Sequence, residues 1–525
     1  MTTAETGRAA AQARVGALAS WHHDWSGLRV AVAGHGPVSF AVADTLVELG
    51  ARVRVISGGS DAERDRLLEV IGAERFVAAD PAAQLADLTA FDPELLIAVP
   101  ELRLDHPLTT WAEGHGVTVW GDVELAWRLR DKTTRIADWI CITGTNGKST
   151  AAQLTAHMLA AGGLRVAPAG DEHTPILDPL RDPQGYDVIV VELSGHQLAR
   201  LGEISPYASA CLNFAEDHID WHGSVGNAWA AKSRVYANTQ VACVYNRADP
   251  STERMVEEAD VVEGARAISF GLDSPPPSGF GIVEGILVDR GFHADRVGEA
   301  YELVTVEELS EHSLAAPHTA QNVLAAAALA RSRGVSPGEI AQAVLSFVPE
   351  PHRTQQLGER AGLQWVDDSS ATNAHAADAA LRTVRDVVWI LGGTPTSVSL
   401  DSLIAAHVSR LRGAVVIGAE REATLAALRS HLGDRPVVEI TTADAADAAD
   451  AAAAADAAGQ ADAADRDSAD GDAPARIMAA AVAAAVEIGS PGDTVLFSPA
   501  AAPTDQFASA VERGLRFQAA VTELE

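Results

Sequence analysis

Residues 144–150 read Gly-Thr-Asn-Gly-Lys-Ser-Thr, and no other stretch narrows the fold of this chain as far. A short apolar run, Trp139–Thr143, precedes it and has the character of a buried strand. Ala151–Ala161 follows, mostly apolar and free of Gly and Pro, with the character of a helix. Strand, glycine-rich turn and helix is the context that a phosphate-binding loop requires. Small residues let backbone N–H groups close on phosphate oxygens, and the helix N-terminus adds partial positive charge. In such a loop Lys148 reaches the β- and γ-phosphates and the Ser149 hydroxyl sits on Mg²⁺. The spacing departs from the strict pattern, because Ile142 stands where its first Gly belongs. The loop Gly144, Thr145, Asn146, Gly147, Lys148, Ser149 and Thr150 predicts ATP binding.

Short β-branched runs alternate with Ala/Leu-rich helical stretches on both sides of the loop, which predicts an α/β protein. With 525 residues, one core is too few. Three units are expected: a Rossmann-like one over 1–136, a central ATP-binding unit over 137–347, and a Rossmann-like C-terminal unit over 348–525. In the first, Leu28–Ala33, Arg52–Ile56 and Leu95–Val99 read as strands, with Gly34-His35-Gly36-Pro37 after the first. A dinucleotide fingerprint is incomplete there. Ser39 replaces its third Gly, and Ser57-Gly58-Gly59 offers no carboxylate for a ribose, so another nucleotide-like ligand is the preferred reading. Strands at Asp187–Glu192, Ala208–Asn213 and Val241–Asn246 and a helix at Ala315–Arg333 are expected in the second unit. In the third, strands are expected at Trp365–Asp368, Val387–Leu391, Ala414–Ile417, Val437–Ile440 and Thr494–Phe497.

The net charge of −33 argues against binding nucleic-acid backbones. Part of it lies in 443–475, an Ala/Asp-rich tract too poor in large apolar residues to bury a core, read as a surface insert. Cys141, Cys211 and Cys243 are an odd, widely spaced set in apolar runs, as buried thiols in a reducing compartment would be. No apolar run reaches the ~20 residues of a membrane span. Met1–Arg14 carries no signal-peptide core. A cytoplasmic protein with no membrane partner is expected.

Three residues of the central unit carry metal chemistry when taken together. Glu192 ends a strand, His218 lies in Glu216-Asp217-His218, and Lys232 lies in Ala230-Ala231-Lys232-Ser233-Arg234. Singly they read as a strand-end carboxylate, a loop histidine and a helix-surface lysine. Sharing a sheet edge with a phosphate loop, they would make a site for Mg²⁺.

The order of motifs is more specific. Thr143–Thr150, Glu192-Leu193-Ser194, Asn213 with Glu216-Asp217-His218, Ala231-Lys232-Ser233-Arg234, His318 with Asn322, Pro351-His352-Arg353, and Asp367-Asp368-Ser369 with Ala371-Thr372-Asn373 follow one another as in the Mur ligase superfamily. The Rossmann-like first unit, Gly121–Leu125 and the Ser498-Pro499-Ala500…Asp505-Gln506-Phe507 ending most resemble its D-glutamate-adding branch. That resemblance implies an ATP-dependent amide-bond ligase joining D-glutamate to UDP-N-acetylmuramoyl-L-alanine in cytoplasmic peptidoglycan precursor synthesis, acting as a monomer. It implies Lys148 on the phosphates, Ser149 and Glu192 on one Mg²⁺, His218 on a second, and Lys232 carbamylated by CO₂. It also implies Asn322 on adenine, Arg353 and Asp368 on the nucleotide, and Thr372 and Ser498 in the region that holds substrate. The three units would close around the substrates and exclude water.

Several positions depart from the family pattern. Ser370 and Thr396 stand where lysines are usual, Pro503 where serine is usual, and Ala510 where an aromatic is usual. The usual Gly-Asn-Ile-Gly turn is Gly170-Asp171-Glu172-His173, and Ser-Ser-aromatic-Gln is Ser194-Gly195-His196-Gln197. Losing one charge-stabilising donor costs ~10²–10³ in rate. The residues therefore leave two further readings beside the D-glutamate ligase: another acceptor amino acid, or a relative that binds nucleotide without ligating.

Overall fold

The computed structural model describes residues 3–171, 174–394, 400–419, 421–441 and 473–524. They divide into two compact units, 1–347 and 348–525. The expectations on Thr396, on Glu172 and His173, and on most of the Ala/Asp tract fall outside the described residues. The last residues of that tract, from Ala473, begin a helix that runs to Ile488.

The first unit holds two sheets. One contains β1 (Arg29–Ala33), β2 (Arg52–Ser57), β3 (Glu74–Val77), β4 (Leu95–Ala98) and β5 (Thr118–Trp120). They are parallel, in the order β3-β2-β1-β4-β5. The other contains β6 (Asp138–Thr143), β7 (Val166–Ala169), β8 (Val188–Glu192), β9 (Ala208–Cys211), β10 (Ala242–Asn246), β11 (Arg266–Phe270), β12 (Gly279–Val283), β13 (Ile286–Asp289) and β14 (Tyr301–Thr305). Its order is β14-β13-β12-β11-β10-β9-β6-β8-β7, parallel except for the β12–β13 and β13–β14 pairings. Central strands such as β8 are continuous apolar runs, as burial on both faces demands.

Helix 317–332 presents ten buried residues, eight of them apolar between Val323 and Ala330, and shares a core with helix 148–161 on one face of the second sheet. The opposite face shares its core with the first sheet. Trp25, Trp120, Leu129, Trp139 and Val191 belong to one cluster, and Trp127 meets Trp139 edge-on with ring centres 5.0 Å apart. Apolar packing thus runs continuously across the 136/137 boundary expected from sequence. Cys141, Cys211 and Cys243 are buried free thiols. No helix among the described residues is long and apolar enough to cross a membrane.

The second unit is built on β15 (Gln355–Arg360), β16 (Leu363–Asp367), β17 (Val387–Gly392), β18 (Leu411–Ile417), β19 (Val437–Glu439) and β20 (Thr494–Phe497). The order is β15-β16-β20-β17-β18-β19, with only the β15–β16 edge pair antiparallel. Strands β3, β5, β7, β11 to β14 and β15 are additions to the sequence reading. Most are short, lie at or near sheet edges, and carry polar residues on a half-exposed face.

Candidate active site

β6 lies between β8 and β9, so its carboxyl end opens where crossover connections leave to either side. The loop after β6 is there, and helix 148–161 starts at Lys148, which puts Lys148, Ser149 and Thr150 in its first turn. Gly147 is the N-cap with φ +84°, a left-handed conformation that a side chain disfavours. A Cβ there would also lie 2.7 Å from Asn322 Oδ1, so the Asn322 amide is seated directly against the loop.

Asn213, two residues past β9, locks the loop. Its Oδ1 accepts from Thr145 N at 3.0 Å and Asn146 N at 2.9 Å, and its Nδ2 donates to Asn146 O at 3.0 Å. Thr145 Oγ1 donates to Ala215 O at 3.2 Å and accepts from Ala215 N at 2.9 Å. Lys148 Nζ donates to Thr145 O at 3.2 Å. The loop is therefore held by its own hydrogen bonds to Asn213 and Ala215, and the residues fit a nucleotide phosphate chain through backbone N–H groups and the Lys148 charge.

Lys232 lies under the loop in helix 225–233, its Nζ donating to Gly144 O at 3.0 Å. Burial, reinforced by the charge of Lys148, pushes its ammonium down to about 8. Gly195 leaves room for this arrangement: a Cβ there would approach His222 Nε2 to 3.0 Å and Lys232 Nζ to 3.8 Å. His218, at φ +51°, is largely exposed, with Nε2 3.8 Å from Asp217 Oδ2. The His196 ring lies 5.0 Å from His218, 4.4 Å from Trp221 and 5.7 Å from His222. Burial, then the charges of His218, His222 and Lys232, push His196 down to about 3, so it is neutral at working pH. Glu192 is half-buried at the end of β8. The loop, Glu192 and His218 thus follow the carboxyl ends of neighbouring strands, and Lys232 reaches the loop from the helix 225–233. Among the described residues no group of three His, Cys, Asp or Glu side chains is already arranged around a metal position. The oxygens of Ser149 and Glu192 suit Mg²⁺, a hard cation that keeps several waters and takes few protein oxygens, and His218 adds an imidazole nitrogen to that donor set.

Arg353, Asp368, Thr372 and Ser498 lie in the second unit. Arg353 is partly exposed and pairs with Glu350 at 3.2 Å. Asp368 is buried; its Oδ1 accepts from Thr354 N at 3.0 Å and Thr354 Oγ1 at 3.2 Å, and its Oδ2 accepts from Ser498 Oγ at 2.7 Å. Burial outweighs those bonds and pushes the carboxyl up to about 7. Ser498 is fully buried and its hydroxyl is committed to Asp368. Thr372 is half-buried just before the helix at 374–383. Beside them, Arg513 is fully buried and bonds the carbonyls of Ala501 at 3.0 Å and Ser369 at 2.8 Å. Of the departing positions, Ser370 donates its N–H to His352 O at 3.1 Å, Pro503 O accepts from Phe507 N at 3.0 Å, and Ala510 opens the C-terminal helix.

Sequence reasoning assigned no role to Asn213, though the residue stood in its motif series, and none to Arg200, Trp221, His222 or Arg513. Asn213 meets its partners Thr145 and Asn146 only through the sheet order, and the burial of the others is not marked in the sequence.

Comparison with known proteins follows the same outline. Residues 142–330 match the Mur ligase middle domain. The UDP-N-acetylmuramoylalanine--D-glutamate ligase of Leifsonia xyli subsp. xyli is 53% identical, over 98% of this chain and 96% of its own. The ligase of the same name from Streptomyces coelicolor is 42% identical over 95% and 99%. The crystal structure of UDP-N-acetylmuramate-alanine ligase from Thermotoga maritima shares the fold, with a TM-score of 0.52 at 17% identity over 93% of this chain and 98% of that one. The chain belongs to the Mur ligases, in the family of the UDP-N-acetylmuramoylalanine--D-glutamate ligases.

Proposed function

We propose that this protein is an ATP-dependent ligase that adds D-glutamate to UDP-N-acetylmuramoyl-L-alanine. The observation that carries the reading is the phosphate loop clamped by Asn213 and backed by Lys232, in a chain 53% identical to such a ligase over nearly its whole length.

The substrate carboxylate oxygen attacks the γ-phosphorus of ATP, and the electron pair of the broken P–O bond leaves with ADP. The amine of D-glutamate then attacks the resulting acyl phosphate, and inorganic phosphate departs carrying the original carboxylate oxygen. Both steps place negative charge on oxygens. Loop N–H groups and Lys148 bind and orient the phosphates; Asn322, seated against Gly147, we assign to the adenine. Ser149 and Glu192 would hold one Mg²⁺ and His218 a second, which supply charge neutralisation at the transferred phosphoryl group. The buried amine of Lys232, with its lowered pKa, is suited to take up CO₂ as a carbamate and so present oxygens toward the metal. In the second unit we assign Arg353 and Asp368 to the nucleotide, and Thr372 and Ser498 to the region that holds substrate. The Ser498 hydroxyl is bonded to Asp368, so its part is to position that carboxyl. We further assign a three-domain organisation, 1–136, 137–347 and 348–525, a monomeric state and a cytoplasmic location.

Substrate labelled with heavy oxygen in its carboxylate tests the reading. One labelled oxygen is expected in the released phosphate for each product formed. Phosphate oxygen drawn from water, or ATP turnover without D-glutamate-dependent product, would contradict it.

A further inference from the structure

The carboxyl-edge loops of the two sheets of the first unit are tied together beside the phosphate loop. Gln197 Nε2 donates to Asp122 Oδ2 at 2.9 Å, and Arg103 Nη1 donates to Asp220 O at 2.8 Å. Arg200 stands at this seam. It follows the short helix 195–199 after β8, and its Cβ lies 3.5 Å from where a side chain on Gly121, just after β5, would begin. Its guanidinium carbon is 5.5 Å from the centre of the Trp221 ring.

The guanidinium Nε, Nη1 and Nη2 of Arg200 are buried, yet none has a hydrogen-bond partner among the described residues. The indole Nε1 of Trp221, a residue 8% exposed, is buried and unpartnered in the same way. Glu113 and Asp122 are near enough for their charges to be felt at Arg200, but neither bonds it. A buried guanidinium without a partner is strongly disfavoured, and the fork of N–H donors matches an oxyanion. Its position decides which oxyanion. A substrate with its nucleotide at the carboxyl edge of the first sheet and its reacting end at the phosphate loop must cross the seam where Arg200 lies.

We propose that Arg200, with the indole N–H of Trp221, binds an oxyanion of the nucleotide-sugar substrate, either its diphosphate or its reacting carboxylate, and thereby positions that substrate. This deepens the ligase reading and rests on it. In either case the guanidinium stays protonated and takes no part in the bonds made and broken, so the main effect belongs in KM for one substrate.

The test is steady-state kinetics of Arg200→Met, Arg200→Lys and Trp221→Phe in the full chain, with melting temperatures. Arg200→Met is expected to raise KM for UDP-N-acetylmuramoyl-L-alanine roughly ten- to a hundredfold while KM for ATP and D-glutamate stays within about twofold, as the loss of charge-assisted hydrogen bonds implies. Arg200→Lys recovers part of the loss, and Trp221→Phe shows a smaller rise. UDP-N-acetylglucosamine, which has the diphosphate but no carboxylate, separates the two sources. Its inhibition constant weakens in Arg200→Met if the diphosphate is held and stays unchanged if the carboxylate is held. An unchanged KM for the nucleotide sugar, or an equal rise in all three KM values together with a lower melting temperature, overturns the proposal. If the parent protein does not ligate, the ligase reading fails, and calorimetric binding of UDP-N-acetylmuramoyl-L-alanine to parent and Arg200→Met still decides this one: equal affinities overturn it.

Discussion

The ammonium of Lys232 donates to the carbonyl oxygen of Gly144 at 3.0 Å, so the buried lysine and the first residue of the phosphate loop form one unit. Held at about 8 by burial and by Lys148, the amine has a substantial neutral fraction in mildly alkaline solution, and only the neutral amine takes up CO₂. Stripping dissolved CO₂ is expected to lower the ligation rate reversibly, with bicarbonate restoring it. Lys232→Ala should lose about 10²-fold or more in kcat, the scale of a lost charge-stabilising group. Phosphate-release kinetics under controlled CO₂ check both.

Gly147 combines φ +84° with the close approach of Asn322. Gly147→Ala is expected to distort the loop and reduce ATP affinity at least about tenfold, on the scale of one or two lost hydrogen bonds. Asn322→Ala should weaken ATP binding without a comparable loss of thermal stability, because one buried contact goes while the loop backbone keeps its Asn213 clamp. Nucleotide-binding calorimetry with melting curves separates the two.

Asp368 gives the second unit a pH signature. Its carboxyl is raised to about 7 in the folded chain against 3.8 for an ordinary aspartate. The folded state therefore binds the proton more tightly, and the stabilisation this gives is complete below pH ~4 and lost as pH rises through ~7. Asp368→Asn, which keeps one acceptor for Thr354 and replaces the charge, is expected to flatten that part of the profile. The difference between parent and variant melting temperatures across this range reads it directly; parallel profiles would contradict the assignment.

Gln197 Nε2 satisfies two buried acceptors, Asp122 Oδ2 at 2.9 Å and Gly170 O at 3.0 Å. Gln197→Ala leaves both without that donor, at a cost of about 1–3 kcal/mol each. A drop of several degrees in melting temperature is expected, measured by calorimetry. Gln197→Glu should be worse, since its carboxylate would face the carboxyl of Asp122.

The phosphate loop was legible because its strand and helix are long, strongly patterned and contiguous with it. Glu192 was legible from its place at the end of an apolar strand, whereas His218 and Lys232 were legible only from the order of their motifs, since a loop histidine and a helix lysine carry no pattern of their own. Asn213, whose amide locks the loop, stood in a quoted motif without a role, since its partners Thr145 and Asn146 are far away in sequence. Arg200 carried no signal, because its significance is the absence of a partner after burial. Edge strands were missed for a related reason. β3, Glu74–Val77, alternates half-buried and exposed residues and has two charges in four positions. The β12–β13 hairpin did carry a sign, Glu284-Gly285, where both residues have positive φ, 49° and 80°, as a tight two-residue turn requires. Ser498 shows the opposite case: its motif marks it as a substrate residue, and only packing reveals that its hydroxyl is held by Asp368.

The most direct measurement of the central claim is product formation from UDP-N-acetylmuramoyl-L-alanine, ATP and Mg²⁺ with D-glutamate, L-glutamate and a panel of other amino acids, scored by mass spectrometry. D-glutamate-dependent product, with one ADP released per bond formed, is the predicted result. ATP binding with no ligated product from any amino acid would contradict the account, and product from a different amino acid alone would reassign the acceptor.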